Sequence, residues 1–225
     1  MIELKNVTKT YDLQRGNSVT AVHNIDLEIR QGDFAMVIGR SGSGKTTLLN
    51  LAAGLTRPTS GHVTLDGSNL WELSDSELSA LRGQKIGFVF QFPSLLATLN
   101  VFENVVLPST FGPKLPKALV HERAQMLLTQ VGLADKFNAY PRQLSAGQQQ
   151  RVVIARSLIN QPQIVLADEP TSNLDERTEC EIMELFRELH SSLKITVVMV
   201  THTHQLVSYG TRCVEMAEGR ILNGS

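Results

Sequence analysis

Long apolar runs are missing from this 225-residue chain. The longest, Phe34–Ile38 and Ile195–Val200, have strand length and fall far short of the roughly 20 residues a membrane-crossing helix needs. If the protein works at a membrane, another chain must supply the spanning part. The start, Met1-Ile2-Glu3-Leu4-Lys5, has neither a basic opening nor a long apolar centre, so no removable leader is expected. Charge of either sign is not in excess: the formal net charge is -1. The totals therefore imply no basic face for nucleic acid, and no nucleic-acid partner is expected. Cysteine is scarce. Cys180 and Cys213 lack metal-type spacing and read as reduced structural residues of a cytosolic protein. Aromatics make up 5%. Internal repeats and low-complexity tracts are absent.

What is present fits one compact domain, or one with a subdomain. Hydrophobic residues reach 42%, enough for a sizeable core. Ile2, Leu4 and Val7 alternate with polar residues as a strand, and Ile25–Ile29 alternates likewise. Phe34–Ile38 is continuously apolar, as in a strand buried on both faces. A helix through Leu48, Leu49, Leu51, Ala52 and Ala53 follows, stopped by Gly54 and Pro58. His62–Leu65 and Ile86–Phe90 read as strands. After Gln91 come several prolines (Pro93, Pro108, Pro113, Pro116), and then Val120, Ala124, Leu127, Leu128 and Val131 at helical spacing. Ile164–Ala167, a helix from Asp175 to His190, the strand Ile195–Val200, and a hairpin of Cys213–Met216 and Arg220–Leu222 restore the α/β pattern. The expected architecture is a single domain over 1–225. Residues 1–90 and 161–225 form its α/β core, and 91–160 form an inserted helical subdomain.

The chemistry starts at Gly39-Arg40-Ser41-Gly42-Ser43-Gly44-Lys45-Thr46, which matches the phosphate-loop pattern between a buried strand and a helix. Its glycines let backbone N–H groups wrap phosphate oxygens, and the helix start adds partial positive charge. Lys45 is expected on the β- and γ-phosphates, the Thr46 hydroxyl on Mg²⁺, and Thr47 on the α-phosphate. Arg40 belongs to the loop at a variable, solvent-facing position. Alone, this motif does not separate kinases, GTPases, motors and transport ATPases. Asp168-Glu169, at the end of an apolar strand, narrows the choice. Asp168 is placed to hold Mg²⁺ and Glu169 to act as general base on water, which favours hydrolysis over simple binding.

A third element, Leu144-Ser145-Ala146-Gly147-Gln148-Gln149-Gln150-Arg151, opens another helix. Ser145 is a good N-cap, and Gly147 allows close approach. One chain's phosphate site already has its own helix start, so this second one is spare. It reads either as an ordinary capped helix or as the completing wall of another subunit's ATP site.

This segment resembles the Leu-Ser-Gly-Gly-Gln signature of ATP-binding-cassette ATPases, with Ala146 in place of the first glycine. The resemblance covers essentially the whole chain. It implies a P-loop NTPase (RecA-like) α/β core with an N-terminal antiparallel β subdomain and an inserted α-helical subdomain. It also assigns roles. Tyr11 stacks on adenine. Gln91 senses Mg²⁺ and the attacking water. Ser172-Asn173-Leu174-Asp175 is the dimer-contact loop, and His202 contacts the γ-phosphate, although the family more often has Asp where Thr203 stands. Two such chains would pair head to tail, with ATP between the phosphate loop of one and Ser145, Gly147 and Gln148 of the other. The hydrolytic cycle would power integral-membrane permease subunits from the cytoplasmic side. Leu81–Phe92, Leu99–Val105 and Leu166–Asp175 look most like the subfamily of lipoprotein release and macrolide or peptide export. An importer ATPase, or a soluble cassette acting on a non-membrane complex, are the alternatives. A chromosome-maintenance ATPase would need a long coiled coil between the phosphate loop and the signature. Here only the stretch from Thr46 to Ser145 separates them, without sustained heptads.

Overall fold

The computed structural model describes residues 1–13, 17–111 and 116–224, without the side chains of the last two. Pro113, one of the prolines noted above, lies outside these. In chain order the elements are β1 (Ile2–Asp12), β2 (Ser18–Ile29), β3 (Phe34–Ile38), α1 (Lys45–Ala52), β4 (Ser60–Leu65), β5 (Ser68–Asn69), α2 (Asp75–Lys85) and β6 (Ile86–Val89). There follow α3 (Val101–Val106), α4 (Lys117–Gln130), α5 (Ala146–Leu158), β7 (Ile164–Asp168), α6 (Glu176–Leu193), β8 (Thr196–Thr201), β9 (Arg212–Ala217) and β10 (Arg220–Gly224). Among the described residues no helix is long and apolar enough to cross a membrane.

The chain divides into two compact units, one of residues 1–79 and 196–225, the other of 80–195. In the first, β2-β1-β4-β5 form an antiparallel sheet. The expected strand at Ile25–Ile29 reaches back to Ser18 because β1 supplies a full-length partner. Its outer half alternates poorly, so the pattern alone did not show it. In the same unit β3 pairs in parallel with both β8 and β9, and β9 pairs antiparallel with β10. Every residue of β3 and of β8 is buried, which explains the unbroken apolar sequence of β3 and the apolar centre, Val197–Val200, of β8. The β9–β10 hairpin turns on Glu218 and Gly219 at φ 48° and 75°, the two left-handed residues that match the strand twist.

In the second unit β6 and β7 pair in parallel. Helix α5 packs against β6, α3, α4 and α6. It buries Val152, Val153, Ile154, Ala155 and Leu158. Helix α2 was not evident in the sequence. It buries only Leu78, so it carries almost no apolar stripe, and Ser74 and Glu77 cap its start instead. Strand β6 stops at Val89, leaving Phe90 and Gln91 beyond the sheet.

The segment after Gln91 contains no regular structure until α3, yet it is tied down. Asn104 is fully buried. Its Oδ1 accepts from the Leu96 amide at 2.8 Å, and its Nδ2 donates to the carbonyls of Leu96, Leu99 and Asn100 at 3.1, 2.9 and 2.9 Å. One side chain thus supplies the backbone partners that a sheet or helix would otherwise give. From α5, Arg156 Nη1 donates to the Ser94 carbonyl at 2.7 Å. Burial pulls the Arg156 pKa below its ordinary value.

Asn104→Ala therefore leaves several backbone groups of the 96–100 segment unpaired. A loss of about 2–4 kcal/mol of stability is expected, given a cost of ~1–3 kcal/mol per unsatisfied buried group, partly relieved by water. Urea unfolding measures the loss, and limited proteolysis should place new cleavage between Phe92 and Asn100.

Candidate functional site

Parallel strands gather their carboxyl ends on one side, and ligands of open α/β sheets bind there. In the first unit Ile38 of β3 lies opposite Thr201 of β8. The next residues, Gly39 and His202, therefore leave adjacent strands at the same level. The phosphate loop and the predicted γ-phosphate histidine share that end of the sheet. His202 is exposed there, and the Thr201 hydroxyl accepts from the Thr203 amide at 3.1 Å. A backbone-held turn thus follows His202, where the family pattern has an Asp.

The loop itself is shaped by contact as well as by flexibility. Gly44 caps α1 with φ 98°, and a Cβ there would overlap the Ala21 carbonyl oxygen. The Ser43 carbonyl accepts from the Gly219 amide at 3.1 Å, and the Gly219 carbonyl accepts from the His23 amide at 2.7 Å. The closing hairpin turn and β2 therefore brace the loop from behind. Lys45 is buried, with Nζ donating to the carbonyls of Gly39 and Arg40 at 2.8 and 3.0 Å. Its ammonium is thus folded into the loop, while Arg40 and Ser41 are exposed. Ser43 is 4% exposed, and its Oγ has no hydrogen-bond partner among the described residues. Tyr11, in the same unit, lies near the end of β1 with Lys9 Nζ 5.0 Å from its ring centroid. It is 38% exposed.

In the second unit Val89 of β6 lies opposite Ala167 of β7. Phe90 and Gln91 thus leave the sheet beside Asp168 and Glu169. Glu169 has φ 42°, a left-handed conformation that is uncommon outside glycine and clusters at functional sites. The turn after it is rigid. The Glu169 carbonyl accepts from the Ser172 amide at 3.2 Å, and the Thr171 hydroxyl donates to Glu179 at 2.8 Å. Asp175 caps α6, accepting from the Thr178 amide at 3.0 Å and from its hydroxyl at 2.7 Å. Those two bonds hold its carboxyl below the usual carboxylate pKa.

Ser145 caps α5 in a reciprocal box: Ser145 Oγ accepts from the Gln148 amide at 3.3 Å, and Gln148 Oε1 accepts from the Ser145 amide at 3.0 Å. The amides of Ala146 and Gly147, in the first helical turn, have no intrahelical acceptor by the geometry of any helix start. Ala146 is exposed and helical, with no positive φ. Its methyl group is compatible with this backbone. Gly147 is different: a Cβ there would stand 2.5 Å from the Thr178 methyl on α6. Of the two glycines in the signature pattern, this chain keeps the one that packing requires.

A family model described as ABC transporter matches residues 22–172, from β2 through the phosphate loop and signature to the loop after Glu169. The chain belongs to the ABC transporter family. As an ABC ATPase it is 40% identical over 221 residues to the lipoprotein-releasing system ATP-binding protein LolD 1 of Chlorobium chlorochromatii, covering 98% of this chain and 90% of that one. The macrolide export ATP-binding/permease protein MacB of Syntrophobacter fumaroxidans is 43% identical over 222 residues, covering 98% of this chain but 31% of its own length. A dimeric post-hydrolysis structure of the ATP-binding cassette MJ0796, bound to ADP and Pi, superposes with a TM-score of 0.91. It is 41% identical and covers 100% of this chain and 98% of that one.

The cassette's predicted residues fall into two groups. The first unit holds Tyr11, Gly39–Thr47 and His202. The second holds Gln91, Asp168, Glu169 and the signature residues Ser145, Gly147 and Gln148. Sequence reasoning missed the supporting residues. Asn104 and Arg156 gave no signal of their own, because an Asn or Arg on a helix is ordinarily solvated. Thr178 could have been suspected only as the residue three beyond a helix-capping Asp.

The Gly147–Thr178 contact makes a two-step prediction. Gly147→Ala should destabilise the protein by about 1–3 kcal/mol through overpacking. Adding Thr178→Ser removes the offending methyl and keeps the hydroxyl, and should recover most of the loss. Ala146→Gly should change stability by less than about 1 kcal/mol. Thermal unfolding of the four proteins measures all of these.

Proposed function

We propose that this chain is the ATP-hydrolysing subunit of an export or extraction machine, working as a head-to-tail dimer on the cytoplasmic side of a membrane. In this reading residues 39–47 hold the ATP phosphates, with Lys45 on the terminal ones, Tyr11 stacks on adenine, and His202 contacts the γ-phosphate. Glu169 takes the proton of the attacking water, and Gln91 orients that water. Thr46, Asp168 and Gln91 offer hydroxyl, carboxylate and amide oxygens, the hard donors that suit Mg²⁺. When bound, Mg²⁺ neutralises phosphate charge as it builds up in transfer. Ser145, Gly147 and Gln148 close the ATP site of the second chain, which gives the spare helix start its use.

The observation that carries the reading is the pairing of Gln91 and Glu169 at the ends of two in-register parallel strands, with Glu169 in a left-handed turn. That arrangement supports a base and a water-orienting amide beside Asp168, the proposed Mg²⁺ ligand. A binding-only module has no use for it.

The partner is a permease. Support comes from the export relatives, one of which carries the permease in the same polypeptide. The surface supports it too. A cleft of about 340 Å³ in the second unit is lined by Ile86, Phe88, Phe90, Phe111, Arg156 and Asn160. Phe92 and Phe111 are 64% and 82% exposed, so this face offers aromatic anchors to a protein partner. Residues within 83–90 line it together with residues of segment 91–160, the helical subdomain in this reading. Lipoprotein, peptide or drug-like cargo is the proposed class.

Glu169→Gln should retain ATP, accumulate as an ATP-bound dimer in size-exclusion chromatography, and hydrolyse at background rate. Unchanged turnover would refute the general-base role. Affinity capture from detergent-solubilised membranes should recover an integral-membrane permease. Recovery of ribosomes or DNA instead would overturn the transport reading.

A further inference from the structure

The glutamine that orients water must present its amide oxygen, because the amide NH₂ cannot accept a proton or bind a cation. The structure ties the Gln91 side chain to the turn after Glu169. Gln91 Nε2 donates to Ser172 Oγ at 3.2 Å. By amide geometry Oε1 is then directed away from Ser172. The main chain of Gln91 is held by the neighbouring residue, with Asn173 Nδ2 donating to the Gln91 carbonyl at 3.5 Å.

We propose that Ser172 is a positioning residue for hydrolysis, tethering the Gln91 side chain to the turn that carries Glu169. This rests on the role of Gln91 proposed above. It differs from the dimer-contact role that the family resemblance gives to Ser172–Asp175, because it is an arrangement within one chain. The turn can hold Gln91 because it is itself held. Its Ser172 amide bonds to Glu169, its Leu174 amide donates to the Thr171 carbonyl at 3.0 Å, and its Thr171 hydroxyl is anchored on Glu179. Ser172 therefore touches both members of the water-activating pair, Glu169 through its amide and Gln91 through its hydroxyl. A hydroxyl is required for the second contact, and its loss releases the Gln91 side chain from the turn.

The test is a double-mutant cycle on ATPase activity with Ser172→Ala and Gln91→Ala. Ser172→Ala should lower kcat about 3- to 10-fold while leaving KM for ATP unchanged, the pattern of a lost transition-state interaction. In the Gln91→Ala background the same substitution should have no further effect, and Ser172→Thr should keep wild-type kcat. Amide hydrogen exchange on the nucleotide-free protein gives a readout independent of turnover: Ser172→Ala should speed exchange at residues 91–95. Multiplying kcat losses in the double variant, or exchange at 91–95 unchanged by Ser172→Ala, would overturn the proposal. A wild-type protein without Mg-ATP hydrolysis would instead sink the ATPase reading, and the exchange experiment would still decide whether Ser172 holds the segment.

Discussion

Register between parallel strands is the constraint on which this molecule's chemistry depends. Ile38 opposite Thr201 brings Gly39 and His202 off the sheet together. Val89 opposite Ala167 does the same for Gln91 and Glu169. A slip of one residue in either pair would move one partner along its strand and turn its side chain to the other face. Buried apolar side chains on both faces make such a slip costly. Three of the four strands concerned, β3, β7 and β8, are almost wholly buried.

Beyond the strand ends, backbone hydrogen bonds run out, and the chain replaces them in two ways. A helix cap takes up a loose amide at Ser145 in the signature. Side chains do the rest. Asn104 serves both amide and carbonyl groups of the segment that follows Gln91, and Arg156 takes the Ser94 carbonyl. Both are buried polar groups whose desolvation is costly unless they are bonded. The return is a loop of irregular shape but fixed position, anchored to α3 and to the helix that Ser145 begins. The segment after Gln91 is thereby joined to the signature helix through the Arg156–Ser94 bond.

Close packing explains the departure of this chain from the signature pattern of its family. The first glycine of the pattern falls on an exposed helical position where a methyl group meets nothing, and alanine there favours the helix. The second falls against the Thr178 methyl, which leaves no room for a side chain. Thr178 is also the residue capped by Asp175. The signature and the loop after Glu169 thus meet at one residue, and substitutions in either are expected to be felt in the other.

The sequence by itself determined the nucleotide chemistry. A phosphate loop between strand and helix, and paired carboxylates ending an apolar strand, are local patterns whose physics needs no distant partner. It also determined the buried strands, since an unbroken apolar run has few other places to go. The full reach of β2 and the existence of α2 were not legible. One is held by cross-strand pairing, and the other is held by a cap with a single buried leucine. Only the tertiary structure decided which glycine of the signature is indispensable, what pins the loop after Gln91, and what tethers the Gln91 side chain. Each of those depends on an atom from a segment distant in sequence, so no periodicity or spacing along the chain could announce it.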